Sequence, residues 1–352
     1  MGKNHEDREN TSNKKVLISH GAGGQMQGEL IKFITNGAKV RQIENGIGLD
    51  AFDDGATIPL NQRGVQLVIT SDGHTISPLF FPGGDLGKLA AAGTLNDLLM
   101  MGAVPRAISS TVFIEEGMSF KTLERIFKSF NDTLAEFGVA LLCGDTKVLP
   151  KGNLDGMIMS TTGVGFRPNE CVIRDANLQI GDDIIITGTI GDHGASLIAA
   201  RKEINLETKL QSDVAVLKPL FEAVGSLKGI HALKDPTRGG LAAALNDWAT
   251  KSNTGITIDE ENLPIRKEVK AISDILGLDP LEISNEGKCI MAVDPRHSEE
   301  IITRMKGHKL GMDAAIIGKV VSTNAKRVVM KTSFGGKKFI QMPIGEPIPR
   351  VC

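Results

Sequence analysis

Six aspartates share one kind of setting. Asp54, Asp72, Asp145, Asp192 and Asp235 each stand at the tip of an apolar run or in a glycine turn, and Asp97 stands on a stretch otherwise made of Leu, Ala and Met. A carboxylate on so apolar a helix is costly unless a cation or hydrogen-bond donors meet it. One acid of this kind is a turn residue, but the repetition predicts a convergent cation site. Hard oxygen ligands without clustered His or Cys favour magnesium, which most often travels with nucleotide phosphates. Neither a Walker sequence nor a Rossmann glycine fingerprint follows a strand, so an acid-rich ATP site of another type is what remains.

Other groups could join such a site. Asp145, Thr146 and Lys147 bring an acid, a hydroxyl and an amine to one strand tip, where open α/β sheets bind ligands. Asn285, Glu286 and Lys288 stand at the entrance of a late strand, and Asn96 precedes Asp97. In HGAGGQ, Gly23 and Gly24 just ahead of a helix can present amides to an anion, although a simple turn has the same sequence. His193 in GDHGA reads either as catalytic or as a structural turn residue. The last residue, Cys352, is too late for a prenylation box. Pro343, Pro347 and Pro349 exclude a helix or central strand before it, which predicts a mobile arm with a thiol at its tip. A frayed terminus that happens to end in cysteine is the other reading.

The elements that must position these groups follow from periodicity. A short strand is expected at 16–19, then the glycine loop and a helix. Residues 66–72 read as a strand delivering Asp72, 86–101 as the helix of Asp97, and 107–114 as a further strand. Ser119 is a helix N-cap. After it, Phe120, Leu123, Ile126, Phe127, Phe130, Leu134 and Phe137 share one core face, with Gly138 at the stop. The run 139–147 is expected to end as a strand at Asp145 to Lys147, and 156–166 closes the first half. A polar, turn-rich stretch at 166–183 is the expected boundary. The second half repeats strand, glycine turn and small-residue helix at Asp192 and at Asp235, and closes with strands near 314–321, 327–331 and 338–342.

At 352 residues two domains are expected, and 40 glycines beside 41% hydrophobic residues suit an α/β or α+β enzyme. A net charge of -2 and 4% aromatic content, with one Trp and no Tyr, argue against nucleic acid as a partner. The four cysteines show no metal or disulfide spacing, which fits a reducing cytoplasm. The polar stretch 1–15 reads as a disordered tail, and no apolar run approaches the length of a membrane span.

Together, DDGA, SDG, GTLNDLLMMGAVP, CGDTK and DPTRGG resemble the ATP-binding superfamily of aminoimidazole ribonucleotide synthase, selenophosphate synthetase and thiamine monophosphate kinase. HGAGGQ, PLFFPGGDLGKLA, GDTKV, GDHGA, NEGK and the terminal PRVC narrow the resemblance, over about 16–352, to the HypE family of hydrogenase maturation proteins. The resemblance implies a two-domain PurM-like fold of the α/β (α+β) class. Its parts would be a tail 1–15, an ATP-binding and dimerisation domain 16–167, a second domain 168–342 and a mobile tail 343–352. It implies ATP-dependent dehydration of a carbamoyl group on Cys352 to a thiocyanate, the source of cyanide for nickel-iron hydrogenase. Lys147 and Glu286 would position and deprotonate the carboxamide. Gly23, Gly24, Asn96 and Thr146 would join Asp54, Asp72, Asp97, Asp145 and Asp235 around ATP, the five acids holding magnesium. A homodimer, the carbamoyltransferase HypF and the HypC–HypD complex are the implied partners. Selenophosphate synthesis is disfavoured because HGAGGQ carries no cysteine; a non-catalytic scaffold would show no magnesium-dependent ATP hydrolysis.

Overall fold

The computed structural model describes residues 15–60, 64–201 and 207–345. Its first half is a five-stranded sheet backed by two helices. In chain order come α1 (Gly24–Thr35), β1 (Ala56–Leu60), β2 (Val65–His74), the small hairpin β3 (Phe80–Phe81) and β4 (Gly84–Asp85), and α2 (Leu86–Met100). β5 (Val104–Glu115), α3 (Phe120–Glu136), β6 (Ala140–Leu149) and β7 (Met157–Pro168) complete it. The strand order is β1-β2-β7-β5-β6. All pairs are antiparallel except β5–β6, which are joined through α3 as a parallel crossover.

Helix α2 explains where the site lies. It is apolar nearly all round, with Asp85 capping its start by accepting from Lys88 N at 3.0 Å, so it sinks between sheet and α3 and buries almost every side chain. In β2 the alternation turns Val68, Thr70, Asp72 and His74 to the side where α2 packs. Gly93 permits this approach, since a Cβ there would lie 2.9 Å from His74 Cε1. Sheet and helix therefore bring Asp72 and Asp97 together.

The second half forms a seven-stranded sheet, β14-β13-β10-β12-β8-β11-β9. Its elements are β8 (Asp183–Ile186), α4 (Asp192–Ala200), α5 (Lys218–Val224), β9 (Ile230–Lys234), α6 (Gly240–Ser252) and β10 (Gly255–Asp259). They continue with α7 (Lys267–Leu276), β11 (Ile290–Val293), α8 (Pro295–Lys306), β12 (Ala315–Val321), β13 (Val328–Lys331) and β14 (Lys337–Ile340). β8 and β11 are buried on both faces. One face packs with α6 through Ile184, Ile186, Leu245 and Trp248. The other joins, through Ile185, Met291 and Leu233, a core that continues into the first half at Ile76, Leu86 and Leu89.

Four expectations are corrected. Residues 16–19 are not a strand: a 3-10 turn runs over Ile18–Gly21, and Val16, Leu17 and Ile18 stay exposed, paired with no strand among the described residues. Phe120 is 88% exposed, because it starts α3 above the contact that Ile126, Phe130 and Leu134 make. β6 does not end at Asp145 to Lys147 but runs through them to Leu149 as an exposed edge. The arm does not start at Pro343: the carbonyls of Pro343 and Ile344 accept from Gln25 N at 2.8 Å and Met26 N at 3.2 Å, which fixes the chain through Gly345.

Candidate active site

A cavity of about 800 Å³ opens between the halves, with Asp54, Thr70, Asp72 and Asp97 on one wall and Lys234, Asp235, Arg238, Lys251 and Glu286 on the other. Gly23, Gly24 and Met342 stand in its lining. Each acid arrives on a different element. Asp54 lies in the loop before β1, Asp72 near the end of β2, Asp97 on α2, Asp235 just past β9, and Glu286 in the turn before β11.

The acids crowd one another. Thr70 Oγ1 donates to Asp97 Oδ2 at 2.8 Å, yet burial, and then the charges of Asp235, Asp72 and Asp54, push the Asp97 carboxyl well above the usual range. Burial first and Asp54 next push Asp235 up to about 8. Burial raises Asp54 to about 6 against the pull of Lys234. Burial also pushes Glu286 far up, helped by Asp235, Asp72 and Asp213. Glu286 Oε1 is buried without a hydrogen-bond partner among the described residues. An orphaned carboxylate beside mutually repelling acids is what a bound cation or cationic ligand relieves.

The donor set suits magnesium. Among the described residues no three of these acids stand close enough to hold an ion by themselves, so the expected cage of five acids is not formed. An ion bound here would take one or two of them and complete its shell with water and ligand oxygens, as magnesium does with phosphates.

Lysines anchor the wall. Lys234 Nζ lies 2.5 Å from Asp54 Oδ1 and 3.2 Å from Asp175 Oδ2. Lys251 Nζ lies 2.5 Å from Asp175 Oδ2 and 3.3 Å from Asp53 Oδ1, and Trp248 Nε1 donates to Asp175 Oδ1 at 2.8 Å. This buried chain ties the loop of Asp53 and Asp54 to the second half. The adjacent acids of DDGA and the lysine beside Asp235 are its sequence signals, but which lysine meets which acid is not in the sequence.

Several expected site residues lie elsewhere. Asn96 is buried with its amide committed to backbone: it donates to Ala215 O at 3.0 Å and accepts from Leu217 N at 2.9 Å, so it does not line the cavity. Asp145, Thr146 and Lys147 lie on the exposed edge β6, with Lys147 Nζ 2.9 Å from Asp145 Oδ2, outside this chain's cavity. Gly23 and Gly24 do line it, but the amides of Gln25 and Met26 at the start of α1 are taken by the chain's own Pro343 and Ile344. Asp192 and His193 begin α4 away from the cavity lining; Thr189 Oγ1 donates to Asp192 at 2.5 Å, and His193 Nδ1 lies 2.7 Å from Ser212 Oγ. Cys352 lies outside the described residues.

Family models match both halves: AIR synthase related protein, N-terminal domain, over residues 52–166, and its C-terminal domain over 179–331. The carbamoyl dehydratase HypE of Rhizobium leguminosarum bv. viciae is 40% identical, covering 100% of this chain and 99% of that one. The chain belongs to the HypE family. A putative hydrogenase expression/formation protein of Methanocaldococcus jannaschii is 48% identical over 96% of this chain and 100% of its own. Among solved structures, a HypE–HypF complex superposes with a TM-score of 0.82 at 37% identity, covering 89% of this chain and 99% of that one. HypE in complex with ATP gives 0.78 at 35% identity, over 96% and 100%. This HypE-family chain thus carries two PurM-like domains of mixed helix and sheet, and the acid cavity lies where they meet. No helix among its described residues is long and apolar enough to cross a membrane.

Proposed function

We propose that the chain is an ATP-dependent carbamoyl dehydratase whose substrate is its own terminal cysteine. The observation that carries this reading is the root of the tail. Met342 lines the acid cavity, and Pro343 and Ile344 are fixed to α1 beside its glycine loop. Beyond Gly345 the chain has seven residues, 346–352, and a chain of that length reaches at most about 24 Å. Cys352 is therefore tethered within about 24 Å of a root that stands three residues past the cavity-lining Met342. The relatives named for carbamoyl dehydration and for an ATP complex support the same chemistry here.

In this reaction the oxygen of an S-carbamoyl group on Cys352 attacks the γ-phosphorus of ATP and ADP leaves. The phosphorylated oxygen is then a good leaving group, and the attached nitrogen is acidified. The two nitrogen protons leave in turn: one passes to water as the phosphorylated imidate forms, and Glu286, ionised once a bound cation offsets its burial, takes the other as the C–O bond breaks, phosphate departs and the carbon–nitrogen triple bond forms. Magnesium would be held by no more than two of Asp54, Asp72, Asp97 and Asp235, with water and phosphate oxygens completing its shell, and would neutralise charge on the transferring phosphoryl group. Arg238 adds positive charge at the same wall.

A second copy completes the reading. Leu141, Leu142 and Val148 are exposed along β6, which among the described residues is an open edge of its sheet, and proteins usually cover such edges. Pairing there would carry Asp145, Thr146 and Lys147 to a shared site, with Lys147 positioning the carboxamide. HypF would supply the carbamoyl group, and HypC with HypD would receive the cyano group.

The test is single-turnover dehydration. The S-carbamoylated chain, given ATP and magnesium, should lose the mass of one water. Asp97→Asn, which keeps volume and can still accept from Thr70, should slow that loss by at least about 100-fold at unchanged thermal stability. Wild-type rate in Asp97→Asn would refute the assignment of Asp97.

A further inference from the structure

Residues 207–217 form neither helix nor strand, yet the last part of this segment is fixed at both ends. Asp213, its side chain 2% exposed, accepts the backbone amides of Glu286 at 3.1 Å and Gly287 at 3.2 Å, and lies 3.3 Å from Lys288 Nζ. Ala215 N donates to Glu286 O at 3.4 Å. The fit is tight, since a Cβ on Gly287 would lie 1.9 Å from the Asp213 carbonyl oxygen. At the other end Asn96, one position before Asp97 on α2, clamps Ala215 O and Leu217 N.

We propose that residues 213–217 are a strap that sets Glu286 in the acid cavity, with Asp213 and Asn96 as its positioning residues. The inference rests on the role given to Glu286 above. A buried carboxylate needs a counter-charge, and Lys288 supplies one. Asp213 also accepts two successive amides from the turn that carries the base, which would otherwise be buried without partners. The turn is held while Glu286 Oε1 is left free for a ligand. On its far side Asn285 accepts from Gly191 N at 2.7 Å and donates to Pro236 O at 3.0 Å, beside Asp235. The base is thereby registered to acids of both domains through backbone, not through its own side chain.

The test uses the full-length, S-carbamoylated chain. Asp213→Asn keeps volume and one acceptor oxygen, so one of the two amides loses its partner. Amide exchange at Glu286 and Gly287 should quicken at least about tenfold, and the dehydration rate should fall about 10- to 100-fold, the scale of a small misplacement of a catalytic group. ATP affinity should stay within about twofold, because the strap touches the base and not the nucleotide. Asn96→Ala should give the same pattern from the other end, and the double variant should be little worse than the poorer single, since either change releases one strap. Unchanged dehydration in a folded Asp213→Asn, or ATP affinity falling in step with rate, would overturn the proposal. Should Asp213→Asn not fold, Asn96→Ala decides by the same two outcomes. A fully active Glu286→Gln would instead refute the base assignment, which the exchange measurement does not depend on.

Discussion

Asp54 and Asp235 hold their protons more tightly than free carboxyls, for a reason that can be titrated. Burial and mutual repulsion raise Asp54 to about 6 and Asp235 to about 8, while an unfolded chain ionises its aspartates near about 4. Between those values the native state binds more protons than the unfolded state. The contribution to stability is therefore fully present below about pH 4 and is lost as pH rises through about 8. In chelator, the melting temperature of the wild type should fall relative to that of Asp235→Asn as pH rises from about 6 to about 8.5, and magnesium should remove much of the difference. Parallel curves would contradict the crowding. This is also why Asp97 is legible in the sequence: an acid on an otherwise apolar helix declares its burial cost locally. Lys147 is equally conspicuous in sequence, but its place depends on which strand is the edge, and nothing in CGDTK shows that.

At the scale of elements, the sequence predicts the strands and helices that carry the acids well, because alternation and apolar periodicity are local. It fails at 16–19, where an apolar run reads as a strand but, among the described residues, meets no strand to pair with and turns as a 3-10 helix over Ile18–Gly21. It also cannot show the ionic chain under the cavity, whose contacts join Lys234 to Asp54 across 180 positions and to Asp175 across 59. Asp175 is its hub, almost wholly buried and meeting two lysines and an indole. Asp175→Ala leaves two buried cations short of a partner and should cost about 3–5 kcal/mol in denaturant unfolding. A loss below about 1 kcal/mol would mean that the lysines are solvated instead of locked, as exposed pairs are.

At the scale of the whole molecule, two features need something beyond one folded chain: the apolar edge β6 and the tethered tail. The edge predicts a dimer at micromolar concentration in sedimentation. Leu142→Lys, which places a charge on that edge, should yield monomers that dehydrate poorly while ATP binding to each chain persists. A monomeric wild type with full activity would contradict the shared site. In the proposed reaction the tail would enter the cavity to be phosphorylated and leave it to be loaded and unloaded, so its two positions should differ by only a few kcal/mol. Pro347 and Pro349 would narrow the unfolded ensemble and reduce the entropy that such docking loses. The thiol at its end is the central claim, and intact mass measures it directly. After incubation with a carbamoylating partner, ATP and magnesium, the wild type should gain the mass of a cyano group, and deletion of Cys352 should abolish that gain while leaving ATP binding nearly intact. A cyano group appearing in the deletion variant, on Cys143 or Cys289, would contradict the account.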